Sequence, residues 1–382
     1  MTTLTDIDRE HLRHALALAE GGRGRVSPNP LVGAVVVRGG KVIGEGFHAE
    51  LGGLHAERAA LADCGRRGEE PGGATMYVTL EPCAHQGRQP PCTEAILAAG
   101  IGRVVIASED PSEKAAGRGP GILRDGGVEV EAAAGAEAAA ARLLNQPFRK
   151  HARTGLPLVV LKLAMSLDGQ ITTPAGSSPW ISGERSRELV HRWRGELDAI
   201  AVGIGTALAD DPLLTARAPG ARQPHRVVFD SAARLPLGSR LVGSIEQAPL
   251  TIVAGPEAPP ERVAALREAG VEVFLAEAVD PGERILAALA TLGRREVTSL
   301  LLEGGRTLVA AFAACGQVDE SRTFVAPMLL GPPDSSPNRS SFVNQRVTND
   351  ERTGTAPRLE ALATATERVG EDTLITARYR EW

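Results

Sequence analysis

The stretch TLEPCAHQGRQPPC (79–92) holds two cysteines, Cys83 and Cys92, with eight residues between them, three of which are Gly or Pro. A conventional zinc finger keeps its paired thiols only about two to four residues apart. Upstream, His55-Ala56-Glu57 follows Gly52-Gly53-Leu54 and opens HAERAALADCG (55–65). There Ala56, Ala59, Ala60 and Cys64 recur at helical spacing. ATMYVTL (74–80) reads as a strand ending at Glu81-Pro82-Cys83, and CTEAILAAG (92–100) as a short helix stopped by Gly100. His55, Cys83 and Cys92 therefore fall at helix starts or strand-to-helix turns, on one edge of a sheet. Helix N-termini favour thiolate over thiol. One imidazole and two thiolates are ordinary zinc ligands.

Three protein ligands leave a fourth position for water, whose pKa falls to about 7 on zinc. Glu57, two residues beyond His55, is the candidate proton shuttle from that water to a substrate nitrogen. His-x-Glu, then Pro-Cys, then a further Cys is the arrangement of zinc nucleobase deaminases. The competing reading is a folding zinc completed by a further ligand, such as His85 inside the loop, with Glu57 an ordinary solvated helix residue. Asn29, in Ser27-Pro28-Asn29-Pro30, is a candidate reader of a base edge on a backbone stiffened by prolines. Turn chemistry alone also accounts for it.

The chain of 382 residues is long enough for two or three domains. Hydrophobic residues make up 43% and aromatics 3%, so the cores must be built from Ala, Val, Leu and Ile. A net charge of −5 without long runs of one sign argues against an extended nucleic-acid surface. A local basic pocket for one phosphate is compatible with it. MTTLTDIDREHLRHALALAEGG (1–22) has no basic region followed by an apolar run, so no secretory signal is expected. No apolar stretch approaches about 18 residues, so no membrane span is expected. Four scattered cysteines suit a reducing cytoplasm better than a disulfide framework.

Strand and helix signals alternate along the chain. The first 150 residues read as a helix at 7–20, a hairpin of LVGAVVV (31–37) and KVIGEGFHA (41–49), the elements above, and strands RVVIAS (103–108) and VEVEAA (128–133). This order predicts a mixed sheet with helices on both faces. An Ala-rich helix follows over 136–150. The polar RKHARTG (149–155) reads as the domain boundary. The second half restarts at PLVVLKLAMSLDGQIT (157–172) and alternates again. Helices are expected at 183–197, 259–269, 281–293 and 306–315, and strands at 198–204, 225–230, 249–254, 271–276 and 299–305. TFVAPMLL (323–330) and DTLITARYR (372–380) read as closing strands, with a loop at 331–341. In the second half, Gly203-Ile204-Gly205 fails as a dinucleotide fingerprint because Leu208 stands where the third glycine is required. SLLLEGGRTL (299–308) is a stronger feature: a buried strand ends in paired glycines just before a helix, where bare N–H groups can hold phosphate, although a tight strand–helix turn accounts for the glycines equally well.

SPNPLVG (27–33), HAE (55–57), TLEPC (79–83) and PPC (90–92) resemble the bifunctional deaminase/reductase family of riboflavin biosynthesis. The long loop between the thiols is that family's mark. The resemblance continues through Asp110-Pro111, AGRG (116–119), LKLAMSLDG (161–169), SPWIS (178–182), TALADDPLLTAR (206–217) and Glu303-Gly304-Gly305. It implies an α/β chain. Residues 1–150 would form a zinc-dependent pyrimidine deaminase domain, a cytidine-deaminase-like three-layer mixed sheet. Residues 155–382 would form a dihydrofolate-reductase-like, NADPH-dependent domain.

The implied roles are Zn²⁺ ligation by His55, Cys83 and Cys92, proton shuttling by Glu57, and ring contact by Asn29. The loop between the thiols would wall the pyrimidine pocket. Ala164, Trp180, Thr206, Asp210 and the Gly305, Arg306, Thr307, Leu308, Val309 turn match NADPH contacts. Ser178, Arg194, Leu214, Arg217 and Glu303 match substrate contacts, the two arginines suiting a ribose phosphate. Lys162 is a candidate beside the reacting sugar carbon, or a plain strand-end charge. The implied partner is a small pyrimidine ribose phosphate, with no nucleic acid and no membrane, in a cytoplasmic homo-oligomer. Two departures stand out. Gln86 and Gln89 replace an aromatic or His and a small hydroxyl residue. Asp319-Glu320 leads into Ser321-Arg322-Thr323, and Leu330-Gly331 into a polar run through 357. The second departure motivates the alternative of a C-terminal half that only binds or assembles.

Overall fold

The computed structural model describes residues 4–87, 89–112, 115–173, 180–331 and 359–382. It divides into two units, Met1–Gly155 with Trp382, and Leu156–Glu381. In the first, β1 (Gly33–Arg38) turns through Gly39-Gly40 into antiparallel β2 (Lys41–Phe47). β3 (Thr75–Val78) pairs antiparallel with the other side of β1, and β4 (Arg103–Ile106) and β5 (Glu129–Ala132) continue in parallel. The sheet order is β2-β1-β3-β4-β5. Along β1, Ala34 and Val36 join one apolar cluster while Val35 and Val37 join another, the two-residue period of a strand buried on both faces. α2 (Ala56–Arg66), α3 (Cys92–Ala98) and α4 (Arg118–Asp125) contribute to the first cluster. α1 (Asp6–Ala19) and α5 (Ala136–Leu144) contribute to the second. The result is the three-layer mixed sheet expected.

Two details aim the loop that carries Asn29. At Gly33 a Cβ would run into the Ala15 carbonyl oxygen, so only glycine lets β1 lie this close to α1. Gly33→Ala is expected to destabilise the first unit by about 1–3 kcal/mol through overpacking, measured by denaturant unfolding. Asn145 supplies the second detail. It is buried, accepts from the Leu31 N–H at 2.7 Å and donates to the Leu31 carbonyl at 2.8 Å. It also breaks the expected 136–150 helix into α5 and α6 (Gln146–Thr154). The polar segment 149–155 forms the end of α6, and the division between the two units falls directly after it, at Gly155. Arg149 and Lys150 are fully buried there, and Arg149 donates to Ser108 and Glu109. The helix stops at Gly155 in the left-handed conformation.

Among the described residues, the second unit has nine strands in the order β10-β9-β8-β7-β11-β6-β12-β14-β13. They are β6 (Leu158–Ser166), β7 (Ala199–Gly203), β8 (His225–Phe229), β9 (Leu250–Ala254), β10 (Glu272–Leu275), β11 (Ser299–Leu302), β12 (Glu320–Ala326), β13 (Ala363–Val369) and β14 (Asp372–Arg378). β10 through β12 are parallel and the last two pairings antiparallel. The helices are α7 (Glu184–Glu196), α8 (Ile204–Asp210), α9 (Pro260–Glu268), α10 (Pro281–Arg294) and α11 (Arg306–Ala314). α10 and α11 close a core over β6, β7, β8 and β11.

β12 starts three residues before its sequence signal. Its polar start is satisfied by tertiary partners: the Ser321 hydroxyl meets that of Tyr379 at 2.9 Å, and the Arg322 guanidinium lies 4.7 Å over the Trp193 ring. β13 has no sequence signal because this edge strand is exposed on both faces. The sequence reading also passes over α4 and α8. The polar run lies outside the described residues from 332 to 358. Among the described residues, no helix is long and apolar enough to cross a membrane.

Candidate active sites

His55 is the N-cap of α2, extended at φ −68° and ψ 157°, and its ring makes no capping bond. Cys92 is the first residue of α3, and Cys83 sits in the turn after β3. His55 Nδ1 is 3.6 Å from Cys83 Sγ and 3.4 Å from Cys92 Sγ, and the three donor atoms lie within 4.8 Å of one another. Zinc arms of about 2.3 Å to sulfur and 2.0–2.1 Å to nitrogen put tetrahedral neighbours about 3.6 Å apart, so the donor set fits zinc. The Cys92 N–H donates to Cys83 Sγ at 3.3 Å. Hydrogen bonds from the Cys92 thiol and from His55 pull the Cys83 thiol down to about 4, while the bond to Cys83 and burial push Cys92 up. His55 is raised, chiefly by its bond to Cys83, with Glu57 adding to it.

Glu57, in the first turn of α2, is only 4% exposed, and its carboxylate interacts with both thiols. Burial, then the Cys83 charge, pushes its carboxyl up to about 7, a value suited to taking and returning a proton near neutrality. His85 is exposed, and among the described residues the donor cluster contains only His55, Cys83 and Cys92. The folding-zinc reading offered His85 as a further ligand and put Glu57 in solvent; here His85 lies outside the cluster and Glu57 is buried.

Asn29 Nδ2 lies 3.1 Å from His48 Nε2, and His48 Nδ1 lies 2.9 Å from the Leu54 carbonyl. That carbonyl can only accept, so the neutral ring carries its proton on Nδ1 and receives the Asn29 amide on Nε2. The Asn29 carbonyl is then the end left for a ligand's N–H. Sequence reasoning missed His48. Its ring stands edge-on to His55 at 5.4 Å, but its partner Asn29 is 19 residues away. Glu81 was also missed. It is buried and accepts from the Gly117 and Gly119 N–H groups at 3.1 and 3.3 Å, tying the Pro82-Cys83 turn to α4. At Gly119 a Cβ would strike the Pro82 carbonyl. The loop between the thiols is fastened twice more. Arg58 donates to the Pro91 carbonyl at 2.9 Å, and Gln89, one of the departures, donates to Gly52 at 3.1 Å.

In the second unit Glu303 and Gly305 lie just beyond the end of β11 and α8 follows the end of β7, at the usual ligand edge of a parallel sheet, while Lys162 lies within neighbouring β6. Leu302 pairs with Leu161 and the Glu303 N–H bonds Ala201, which brings Lys162 and Glu303 level on neighbouring strands. Ala164 lies farther along β6. Thr206 and Asp210 lie on α8, and burial raises the Asp210 carboxyl. Gly305 is the N-cap of α11, without a side-chain cap, and Arg306 to Val309 form the helix's opening. A Cβ on Gly305 would stand 3.5 Å from the Thr206 hydroxyl, so the starts of α8 and α11 adjoin. This bare, close-packed turn fits a phosphate-bearing cofactor. Trp180 is 57% exposed, with the Arg187 guanidinium 5.0 Å over its ring. Leu214 is buried at φ +56°. Ser178 lies outside the described residues.

Arg194 and Glu303 form a two-pronged pair, Nε to Oε1 and Nη2 to Oε2, both at 2.8 Å and both largely buried. Burial raises the Glu303 carboxyl, but Arg194 and Lys162 outweigh it and hold it below the usual range. Burial pushes the Lys162 ammonium down. Glu303→Gln strips Arg194 of its counter-charge and is expected to cost the second unit about 3 kcal/mol, seen as a lower denaturation midpoint. The pair also makes stability acid-sensitive. Its contribution is full above the ordinary glutamate pKa of about 4.3 and is lost as pH falls through the lower folded value. Glu303→Gln should flatten that part of the acid profile.

Fold and sites together define a two-part enzyme: a zinc-dependent deaminase joined to an NADPH-dependent reductase. Residues 5–108 match the cytidine and deoxycytidylate deaminase zinc-binding region, and residues 157–364 match the RibD C-terminal domain. The chain belongs to the RibD family of riboflavin biosynthesis proteins. It is 42% identical over 329 residues to the riboflavin biosynthesis protein RibD of Actinobacillus pleuropneumoniae, covering 86% of this chain and 85% of that one. The RibD of Escherichia coli strain K12 is 38% identical over 341 residues, covering 85% and 89%. Among crystal structures, a diaminohydroxyphosphoribosylaminopyrimidine deaminase/5-amino-6-(5-phosphoribosylamino)uracil reductase from Thermotoga maritima superposes with a TM-score of 0.81. It is 33% identical, covering 98% of this chain and 99% of that one. Acinetobacter baumannii RibD gives 0.81 at 35% identity, covering 98% and 99%. The match over 157–364 does not favour a C-terminal half that only binds or assembles.

Proposed function

We propose that the unit spanning residues 1–150 deaminates 2,5-diamino-6-ribosylamino-4(3H)-pyrimidinone 5′-phosphate. The unit spanning 155–382 then reduces the ribosyl group of the product to ribityl, giving 5-amino-6-(5-phosphoribitylamino)uracil. The observation that carries this reading is the buried Glu57 carboxylate against a His55–Cys83–Cys92 donor set.

His55, Cys83 and Cys92 would hold zinc, which when bound supplies an acidified water as nucleophile. Glu57 takes the water's proton, gives it to the ring nitrogen, and passes a proton to the departing amine. A carbon–oxygen bond replaces the carbon–nitrogen bond, and ammonia leaves. Asn29, oriented by His48, hydrogen-bonds the ring, and the fastened 84–91 loop excludes bulk water.

In the second unit NADPH supplies hydride. Ala164, Trp180, Thr206, Asp210 and the Gly305–Val309 turn would hold it. Ser178, Leu214, Glu303, Arg194 and Arg217 would hold the substrate, the arginines at its phosphate. Lys162 is suited to sit by the reacting sugar carbon, where its lowered pKa eases proton transfer. A cytoplasmic homo-oligomer belongs to the same reading, and sedimentation and cell fractionation test it. The deciding experiment supplies the diaminopyrimidine phosphate with and without NADPH and identifies the products. Ammonia in both arms and ribityl product only with NADPH support the reading. Ammonia without any NADPH oxidation would refute its second half.

A further inference from the structure

His191 lies on α7, one turn before Arg194. Its Nδ1 is 3.2 Å from the Thr215 carbonyl. A carbonyl accepts, so Nδ1 carries the hydrogen and the neutral ring presents Nε2 as a lone pair. Nε2 has no hydrogen-bond partner among the described residues. Thr215 belongs to the segment that carries Leu214 and Arg217.

Other side chains already hold that segment. Arg226, wholly buried on β8, donates to the Leu213 carbonyl at 3.2 Å while its other bonds go to Ser244 and Ala248. Gln223 accepts from the Ala216 N–H at 2.9 Å and donates to the Ala216 carbonyl at 3.2 Å. The backbone at 213–216 is thus fixed on both sides of Thr215, so holding it is not a sufficient reason for a histidine.

The charges around the ring supply a better one. Arg194 on α7 and Arg217 on the loop both act on His191, as does Glu303 after β11. Glu303 engages Nε and Nη2 of Arg194 and offsets its charge, while Arg217 is in no ion pair among the described residues. A phosphate monoester carries close to two charges near neutral pH, more than this arrangement neutralises.

We infer that His191 is a third phosphate-binding residue of the reductase site, gaining a proton from solvent on Nε2 as the substrate's phosphate docks beside Arg194 and Arg217. This rests on the reading of those two arginines as phosphate contacts. In the free protein, burial and then the two arginines hold the ring below the ordinary histidine value, with the Thr215 carbonyl and Glu303 opposing them. An arriving dianion reverses the balance, so protonation accompanies binding.

The test compares the full-length wild type with His191→Asn and His191→Ala. Asn keeps a donor near the Nδ1 position and cannot carry charge. Ammonia release by the other unit serves as the folding control. Calorimetry with ribose 5-phosphate in two buffers of different ionisation enthalpy counts the protons taken up. The wild type is expected to gain a substantial fraction of a proton near pH 7, and His191→Asn markedly less. The reductase KM of His191→Asn should exceed wild type about tenfold at pH 6 and less than about twofold at pH 8.5, with kcat little changed. The ratio of the two proteins cancels the substrate's own ionisation.

Equal proton uptake and equal KM at both pH values would overturn the inference and leave the arginine reading intact. So would a KM raised by His191→Ala alone, equally at both pH values, since that is a loop clamp. If Arg217→Gln binds ribose 5-phosphate as tightly as wild type, the phosphate site is elsewhere and both readings fall.

Discussion

Glu57→Gln is expected to lower deamination by about 10²–10⁴-fold while zinc content stays near one per chain. Gln keeps the shape and buried position of Glu57, which is 4% exposed, but cannot move a proton. The side chain is not among the clustered donors, so metal retention separates the loss of a proton carrier from the loss of the site. A product already lacking the amino group should still be reduced at the normal rate, because the second unit contains none of these residues. Zinc lost along with activity would make Glu57 a structural partner of the metal. Activity retained would remove the proposed shuttle.

Cys92→Ala acts one step earlier and reaches further. Cys92 is fully buried at the head of α3, while His55 and Cys83 come from α2 and the turn after β3. Zinc would hold three separate segments together, so removing one thiolate should release it and loosen all three. Deamination should fall by about 10⁴-fold or more, since the pKa of the attacking water returns from about 7 towards 15.7. The melting temperature of the first unit should drop, and a strong chelator should reproduce both effects in the wild type. The control is reduction of the deaminated intermediate, which should survive. If ammonia release persists without metal, the reading of this cluster is wrong.

The chemistry of the first site was legible because few residue types can perform it. His55, Glu57, Cys83 and Cys92 could be ranked by identity, order and position at helix starts. Their mutual distances and the burial of Glu57 then agreed with that ranking. The residues that aim the site were not legible. His48, Glu81 and Asn145 are ordinary polar residues in sequence, and each acquires its task from a partner distant in the chain: Asn29, the Gly117–Gly119 turn and Leu31. Sequence distance hid Gln89 less than residue type did. A glutamine in a Gly- and Pro-rich loop carries no sign that its amide will reach Gly52.

The second unit makes the same point about structure rather than chemistry. Apolar strands such as SLLL at β11 were visible, because burial on both faces demands continuous hydrophobic residues. Ser321-Arg322-Thr323 and the ATATERV edge strand were not, because cross-strand bonds and a Trp193 face support them instead of an apolar pattern. The burial of Arg149, Lys150 and Arg226 was hidden in the same way. A charged residue in sequence suggests solvent, yet these three are buried.

By itself, the sequence pointed to the alternating α/β order, the three candidate metal donors, the carboxylate beside them and the glycine-paired turn after β11. Each of these depends on the intrinsic chemistry of a residue or on local periodicity. Only the tertiary structure decided that His85 stands outside the donor cluster, that Arg194 is already clasped by Glu303, and that His191 lies under the charges of Arg194, Arg217 and Glu303. Those outcomes depend on burial and on hydrogen bonds between distant segments, and both are properties of the packed chain rather than of any stretch of it.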